Sequence, residues 1–214
     1  GYDWIVESEA DVIELLDSGL SPVSIVAAAP IDLDPATLGR KLIAVSEYEK
    51  ITRRFLESRG YEYTFLRSFG ATEAFPPEDA DIIIDNTASG QTLKDNNLKI
   101  IGTIFESSTR IFCNRDALAD GWKADKITKL VLLLQSVLAS RGKCMLEMNV
   151  SEDKLAAVTA ALPAMRSPTV NRLLDGGYAM KAVVPLKEAP RIIVALKTAG
   201  ATDILEYRLS KVLP

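Results

Sequence analysis

The sequence predicts an α/β protein with two regions that differ in the spacing of their apolar residues. Between about residues 41 and 106, short apolar runs typical of strands alternate with segments of helical spacing, which favours a compact unit on a largely parallel sheet. From residue 142 onward the order becomes β-α-β-β-α-β, the ferredoxin-like arrangement. We therefore expect an α/β region followed by a separate α+β domain.

Composition limits the classes of function that the chain can have. Of its 214 residues 48% are hydrophobic, which is enough for one large domain or two modest ones. The 25 basic and 29 acidic residues give a net charge of −4 and form no long run of one sign. The longest apolar stretch, residues 130–134, is far shorter than a membrane span. We expect a cytoplasmic protein that binds neither nucleic acid nor a membrane.

Histidine is absent, and the cysteines are Cys113 and Cys144. The lack of histidine excludes Ser-His and Cys-His nucleophile pairs and the usual zinc sites. Both cysteines lie in apolar segments, which predicts buried thiols in preference to a disulfide or a redox pair.

The opening of the chain predicts a helix followed by a strand. Ser8 is a suitable N-cap, Val12 and Leu16 have helical spacing, and Gly19 is a suitable stop. Residues 23–29 then form an apolar run that predicts a buried strand.

Strands and one capped helix are predicted in the central region. Ser46 and Glu49 have the spacing of a capping box, which predicts a helix that ends near Arg59. The predicted strands cover residues 41–45, 61–69, 81–86 and 98–105.

After residue 106 the chain is expected to return towards its first segment. Two connecting segments of this kind are typical of a two-lobed protein with a ligand between its lobes. We therefore assign residues 1–40 and 107–141 to a first lobe and residues 41–106 to a second.

The clearest helical pattern covers residues 123–140. Its apolar residues fall on one stripe at spacings of three and four: Ile127, Leu130, Val131, Leu134 and Leu138. The stripe predicts packing against the core, and a seam with a partner helix is the alternative.

A domain boundary is predicted between residues 141 and 142, so that residues 142–214 form the C-terminal domain. Ser151 caps its first predicted helix, and Gly200 ends the second. The predicted strands cover residues 144–150, 167–173, 178–185 and 203–209.

The most informative stretch is residues 80–93, which read ADIIIDNTASGQTL. Residues 82–84 are typical of a parallel strand covered on both faces, and Asp85 follows where such a strand ends. Residues 87–92 are short and rich in hydroxyls, and Gly90 allows a close backbone approach. Such a loop directs several donors at one anion, while Asp85 accepts from sugar hydroxyls. The stretch predicts a phosphate-and-ribose site, and an ordinary α/β turn capped by Asp85 is the alternative.

Residues 70–74 (GATEA) together with residues 80–93 resemble the phosphoribosyl-pyrophosphate signature of the ATP phosphoribosyltransferases, the first enzymes of histidine biosynthesis. Further stretches that resemble this family follow in its order along nearly the whole chain: 46–48, 52–54, 106–110, 141–143, 148–150, 167–170 and 200–205. The resemblance is to the long form of the family.

The resemblance implies a fold. The family has a two-lobed, periplasmic-binding-protein-like catalytic region and, in its long form, an ACT-like regulatory domain. The strand–loop–helix that opens the first lobe in the family has no counterpart in these 214 residues, so the first lobe is expected to be incomplete and turnover weak.

The resemblance also implies a reaction. Adenine N1 of ATP attacks the anomeric carbon of phosphoribosyl pyrophosphate, and pyrophosphate leaves with Mg²⁺ bound. Mg²⁺ is expected to belong to the substrate and not to a metal site of the protein, and no catalytic residue is assigned. A solvent-facing position is the alternative for Glu73. The residues expected to bind phosphoribosyl pyrophosphate are Glu73, Asp85, Thr87, Ala88, Ser89, Gly90, Gln91 and Thr92.

For the C-terminal domain the resemblance implies histidine as a feedback inhibitor, and for the protein a homo-oligomer in which dimers build a hexamer. The expected effector residues are Glu147, Ser167, Thr169 and Ala201. Some family members have aspartate where this chain has Glu147. A simple turn is the alternative for residues 167–169.

A second hypothesis is a non-catalytic, ligand-sensing protein with an amino-acid-binding C-terminal domain. It shares the predicted fold but needs no phosphoribosyl loop. Binding of phosphoribosyl pyrophosphate with Mg²⁺ therefore distinguishes the two hypotheses.

Overall fold

The computed structural model describes residues 1–162 and 167–213 and shows a mixed α/β protein. Its contacts divide the chain into two compact units, Gly1–Ala124 and Asp125–Pro214. Each unit has its own sheet and its own buried core. A mixed α/β architecture with a separate C-terminal domain is thus confirmed. Among the described residues, no helix combines the length and the apolar character that crossing a membrane requires.

The first unit is built on one five-stranded sheet. Its strands are β1 (Val12–Pro30), β2 (Leu42–Ser46), β3 (Tyr63–Arg67), β4 (Ile82–Thr87) and β5 (Leu98–Asn114). Their order is β3-β2-β4-β1-β5, with β2 parallel to β3 and β4, and β1 antiparallel to β4 and β5. The helices are α1 (Tyr2–Ser8), α2 (Glu49–Ser58), α3 (Gln91–Asp95) and α4 (Arg115–Ala119).

β4 lies between β2 and β1, and apolar side chains cover both of its faces. Ile82 and Ile84 belong to one buried cluster and Ile83 to another, and all three are fully buried. The prediction of a strand covered on both faces is confirmed. Asp85 follows in the same strand, so the packing of the isoleucines fixes its position.

The N-terminal helix predicted from Ser8 to Gly19 is wrong. α1 ends at Ser8, and β1 is a single strand of 19 residues. Val12 and Leu16, which have helical spacing, instead pair with β5. A register shift beside Leu16 and four further shifts along β1 interrupt the two-residue alternation of the strand, so the apolar residues do not follow a strand pattern. β5 is likewise longer than predicted and includes residues 106–110.

The predicted capping box of α2 is also wrong. Ser46 is the last residue of β2, and its hydroxyl donates to the Ile84 carbonyl at 2.6 Å and accepts from the Tyr48 N–H at 2.9 Å. Tyr48 is the N-cap residue of α2, and its side chain makes no capping hydrogen bond. Ser46 therefore joins β2 to β4 and is not available to cap the helix.

α2 is capped by a residue of α1. The Glu7 carboxylate accepts from the backbone N–H groups of Lys50 and Ile51, each at 3.0 Å. Glu7 is buried, so these hydrogen bonds are shielded from water. The contact fixes α1 against the first turn of α2.

The second unit is built on a four-stranded antiparallel sheet. Its strands are β6 (Lys143–Val150), β7 (Thr169–Arg172), β8 (Tyr178–Pro185) and β9 (Thr202–Arg208), in the order β7-β8-β6-β9. Its helices after β6 and β8 are α6 (Leu155–Ala160) and α7 (Ala189–Ala199). Alternate residues of β6, from Cys144 to Val150, are buried in one core with Val158 of α6 and Leu196 of α7. The order of strands and helices is the one predicted.

α5 (Gly121–Ser140) spans the boundary between the two units. Ser136 and Ser140 are its buried residues, whereas Leu130 is 56% exposed. The other four residues of the predicted stripe are half-buried, and none of the five belongs to a buried core cluster, so the predicted packing of the stripe against the core is not confirmed. The partner-helix alternative stays a prediction.

Both cysteines are free thiols. Cys144 is buried in the core of the second unit, and burial raises its thiol pKa above the usual value. The prediction of a buried thiol is confirmed for Cys144, whereas Cys113 is only half-buried.

Candidate functional site

A cavity of about 430 Å³ lies where β4 ends and α3 begins. It is lined by the connection after β2, by the turn of residues 70–73 after β3, and by residues 85–89 with Thr92 and Leu93. β2, β3 and β4 are parallel, so their C-terminal ends meet at one edge of the sheet. This topology places Glu47 and Asp85 beside the same cavity although they are distant in sequence.

The loop between β4 and α3 is braced by its own hydroxyls. Thr87 Oγ1 accepts from the Gly90 N–H at 2.8 Å, and Ser89 Oγ accepts from the Gln91 N–H at 3.3 Å. Gly90 has a φ of 73°, a conformation that glycine adopts with little strain. These contacts fix the backbone of the loop beside the cavity.

Among the residues that line the cavity, Asp85 has the largest pKa shift. Burial is the main reason that the pKa of Asp85 rises to about 6, and the negative charges of Glu73 and Glu47 add to the increase. Hydrogen bonds from the Asn86 backbone and the Thr72 hydroxyl partly oppose it by stabilising the ionised form. Asp85 is therefore an acceptor whose charge changes just below neutral pH.

The cavity is acidic. Of the described residues, the charged ones that line it are Glu47, Glu73 and Asp85. An anionic ligand is repelled by such a lining unless a cation accompanies it. Within residues 1–162 and 167–213, histidine, cysteine, aspartate and glutamate side chains form no group of three that could hold a metal ion.

Six of the eight residues expected to bind phosphoribosyl pyrophosphate line this cavity: Glu73, Asp85, Thr87, Ala88, Ser89 and Thr92. Gly90 and Gln91 are outside the lining, and the Gln91 side chain donates to Asp95 at 2.6 Å. Glu47 and Thr72 also line the cavity, although neither was predicted to belong to the site. The sequence feature that could have identified Glu47 as a site residue is its position directly after β2, a strand parallel to β4.

A chain of hydrogen bonds runs from α1 to Asp85. Asn86 Nδ2 donates to Asp85 Oδ1 and to Tyr48 Oη, each at 3.2 Å. Tyr48 Oη donates to Asp3 Oδ2 at 3.0 Å, and Ser107 Oγ donates to Asp3 Oδ1 at 2.7 Å. Burial, followed by the Asp3 charge, raises the pKa of Tyr48 and keeps its hydroxyl protonated. Sequence reasoning missed this chain because its partners lie as far as 104 residues apart.

The expected effector residues lie in the second unit. Glu147 of β6 accepts from Lys181 of β8 at 3.0 Å, and Thr169 of β7 pairs with Lys181, which brings Glu147 and Thr169 to one region of the sheet. Ser167 is exposed two residues before β7 begins. Ala201 is 1% exposed and belongs to the buried core, so its side chain faces the interior of the unit.

Two family models match the chain. One, described as ATP phosphoribosyltransferase, matches residues 1–136, and the other, described as HisG, C-terminal domain, matches residues 140–211.

Similar proteins cover the whole chain. An ATP phosphoribosyltransferase from Pelotomaculum thermopropionicum is 40% identical over 223 residues, which cover 100% of this chain and 77% of the relative. One from Desulforudis audaxviator is 41% identical, with the same two shares of 100% and 77%. Among solved structures, a chain of the ATP phosphoribosyl transferase (HisG:HisZ) complex from Thermotoga maritima is similar, with a TM-score of 0.56 and 26% identity. That similarity covers 64% of this chain and 67% of the other.

Proposed function

The chain belongs to the ATP phosphoribosyltransferase family, and from this premise we propose that the cavity beside Asp85 binds the phosphoribosyl group of phosphoribosyl pyrophosphate. The enzyme is a transferase of histidine biosynthesis. A bond forms between adenine N1 of ATP and the anomeric carbon, the bond from that carbon to pyrophosphate breaks, and its electron pair leaves with pyrophosphate. Family membership favours this function over the non-catalytic, ligand-sensing hypothesis.

The observation that supports the site best is the position of Asp85. It is a half-buried carboxylate at the end of a central strand, and it is followed directly by a loop rich in hydroxyls that lines the same cavity. Asp85 accepts from the ribose hydroxyls, and the hydroxyls of Ser89 and Thr92 donate to the 5′-phosphate. The proposed contacts are Glu73, Asp85, Thr87, Ala88, Ser89 and Thr92, while Gly90 and Gln91 shape the loop.

The acidic lining also suits the transfer step. Positive charge develops on a sugar ring as its bond to the leaving group breaks. Ionised Asp85 and Glu73 beside the ring stabilise that charge, and they are held in place before the reaction.

Mg²⁺ enters the cavity on the pyrophosphate group and is part of the substrate. Glu47, Glu73 and Asp85 repel a free pyrophosphate ester, and a bound divalent cation reduces that repulsion. Phosphate oxygens and water are ligands that Mg²⁺ prefers.

The finer architecture belongs to the same proposal. Residues 1–40 with 107–141 and residues 41–106 are the two lobes of a periplasmic-binding-protein-like region, and residues 142–214 are an ACT-like domain. The strand order β7-β8-β6-β9 supports the second assignment. Histidine binds near Glu147, Ser167 and Thr169, with Ala201 contributing through its backbone, and the chain forms homo-oligomers.

Calorimetric titration with phosphoribosyl pyrophosphate in the presence of Mg²⁺ tests the site. Binding is expected for the wild type and is expected to weaken at least about tenfold in Asp85→Ala, which removes a charged acceptor. Asp79→Ala is the control, because Asp79 is exposed and outside the cavity lining. Equal affinity of the wild type and Asp85→Ala would place the site elsewhere.

A further inference from the structure

We propose that Asp3, Tyr48 and Asn86 are positioning residues that hold the Asp85 carboxylate in the orientation in which it accepts from the ribose. Together they form a relay of hydrogen bonds from α1 to the cavity. This inference rests on the proposed role of Asp85 in binding the phosphoribosyl group. Of the relay residues, Asn86 alone lines the cavity, so Asp3 and Tyr48 act through it.

The relay has a fixed direction. A carboxylate can only accept hydrogen bonds, and the Asp3 carboxylate accepts one from the Ser107 hydroxyl and one from the Tyr48 hydroxyl. Tyr48 has one hydroxyl hydrogen, and because Asp3 takes it, Tyr48 Oη is left as an acceptor for Asn86 Nδ2. If the Asn86 amide turned over, its carbonyl oxygen would face the oxygens of Tyr48 and Asp85. The amide is therefore held with its NH₂ group towards them.

This orientation of the Asn86 amide determines which hydrogen-bond donors face the Asp85 carboxylate. Asn86 donates to Asp85 Oδ1 through its backbone N–H at 2.7 Å and through Nδ2 at 3.2 Å. These donors and the Thr72 hydroxyl oppose burial and the charges of Glu73 and Glu47, which favour the protonated form. A carboxylate has about four acceptor sites, so at least one stays open to a ribose hydroxyl.

The end of the relay that is distant from the cavity is rigid. Tyr48 is 2% exposed, and Asp3 and Ser107 are also buried, whereas Asn86 is exposed. The Trp4 ring packs on the Tyr48 ring with centroids 5.1 Å apart. Buried hydrogen bonds are costly to leave unmade, so α1 and β5 hold Tyr48 in place and Tyr48 holds the amide.

The first test is the titration of the Asp85 carboxyl carbon by NMR in the free protein. Asn86→Ala removes one donor, and Tyr48→Phe removes the acceptor that orients it. Each is expected to move the Asp85 midpoint upward by about half a pH unit. In the double variant the midpoint should equal that of Asn86→Ala, because Tyr48 acts through Asn86.

Tyr63→Phe is the matched control. Its hydroxyl donates to Glu57 at 3.1 Å, and neither residue lines the cavity, so the Asp85 midpoint should not move. An Asp85 midpoint that stays at the wild-type value in either Asn86→Ala or Tyr48→Phe would overturn the relay. If Tyr48→Phe does not fold, Asp3→Asn takes its place, because it replaces the carboxylate that accepts the Tyr48 hydroxyl hydrogen, and an unmoved Asp85 midpoint in that variant would overturn the relay.

Titration with phosphoribosyl pyrophosphate and Mg²⁺ then tests the effect on binding. Tyr48→Phe is expected to raise the dissociation constant roughly three- to tenfold, and Tyr63→Phe to leave it unchanged. Weaker binding with an unmoved Asp85 midpoint would overturn the relay, since it would indicate a structural role only. If the wild type does not bind, the proposed function fails, whereas the NMR titration still decides whether the relay exists.

Discussion

Replacement of Glu7 with alanine is expected to destabilise the first unit by about 2–3 kcal/mol. Glu7 accepts from the N–H groups of Lys50 and Ile51 and supplies α2 with the cap that its own N-cap residue lacks. Ile51 is 2% exposed, so water cannot replace the lost carboxylate as the acceptor for its N–H group. A buried donor that is left without an acceptor costs about 1–3 kcal/mol of folding free energy. Lys50 is exposed, so water can hydrogen-bond to its N–H group in the variant and offset part of the lost stability.

Glu9→Ala is the matched control for this prediction. Glu9 also lies at the end of α1 and faces α2, but it forms exposed ion pairs with Lys50 and Arg54, which contribute little to stability in water. Urea unfolding is followed by Trp4 fluorescence in a Trp122→Phe background. A loss in Glu7→Ala no larger than that in Glu9→Ala would refute the reasoning about the cap.

Asp85→Asn is expected to stabilise the first unit by about 1 kcal/mol at pH 8, after allowance for partial exposure, and to give no gain at pH 4. The pKa of Asp85 in the folded state is about 6, above its usual value of 3.8, so the stability that its protonation provides is lost as the pH rises through 6. Urea unfolding of the wild type and the variant at pH 8 and pH 4 checks this. Gly177→Ala is expected to destabilise the second unit by roughly 2–3 kcal/mol. The residue has a φ of +80°, and a Cβ there would lie 2.7 Å from the Val150 carbonyl oxygen. Gly142→Ala, with nothing within 4 Å of the added Cβ, is its control in thermal unfolding. Removal of Mg²⁺ with EDTA is expected to weaken the binding of phosphoribosyl pyrophosphate roughly tenfold or more, as calorimetry would show.

Sequence reasoning succeeded where the determining interactions are local. The run of Ile82, Ile83 and Ile84, the acid that follows it and the glycine before α3 lie within a few residues, and together they located the cavity. The strands and helices of the second unit are short and regular, so their order could also be predicted.

It failed where distant pairing determines the structure. The residues after Ser8 have helical spacing, but pairing with β5 makes them a strand with interrupted alternation. Ser46 has the spacing of a cap, but its hydroxyl binds β4, and the cap comes from Glu7. The bond between Tyr48 and Asp3 spans 45 residues and leaves no local pattern.

The pairing of β1 with β5 also determines when the first unit can fold. Val12 pairs with Asn114 and Pro30 with Leu98, so the two strands meet only by closing a long loop. β4, the other neighbour of β1, is also far along the chain. Contacts between residues so distant in sequence form slowly. During translation the apolar segment of residues 25–29 therefore stays unpaired until β4 and β5 have emerged from the ribosome, and this interval is when the nascent chain is most open to misassociation.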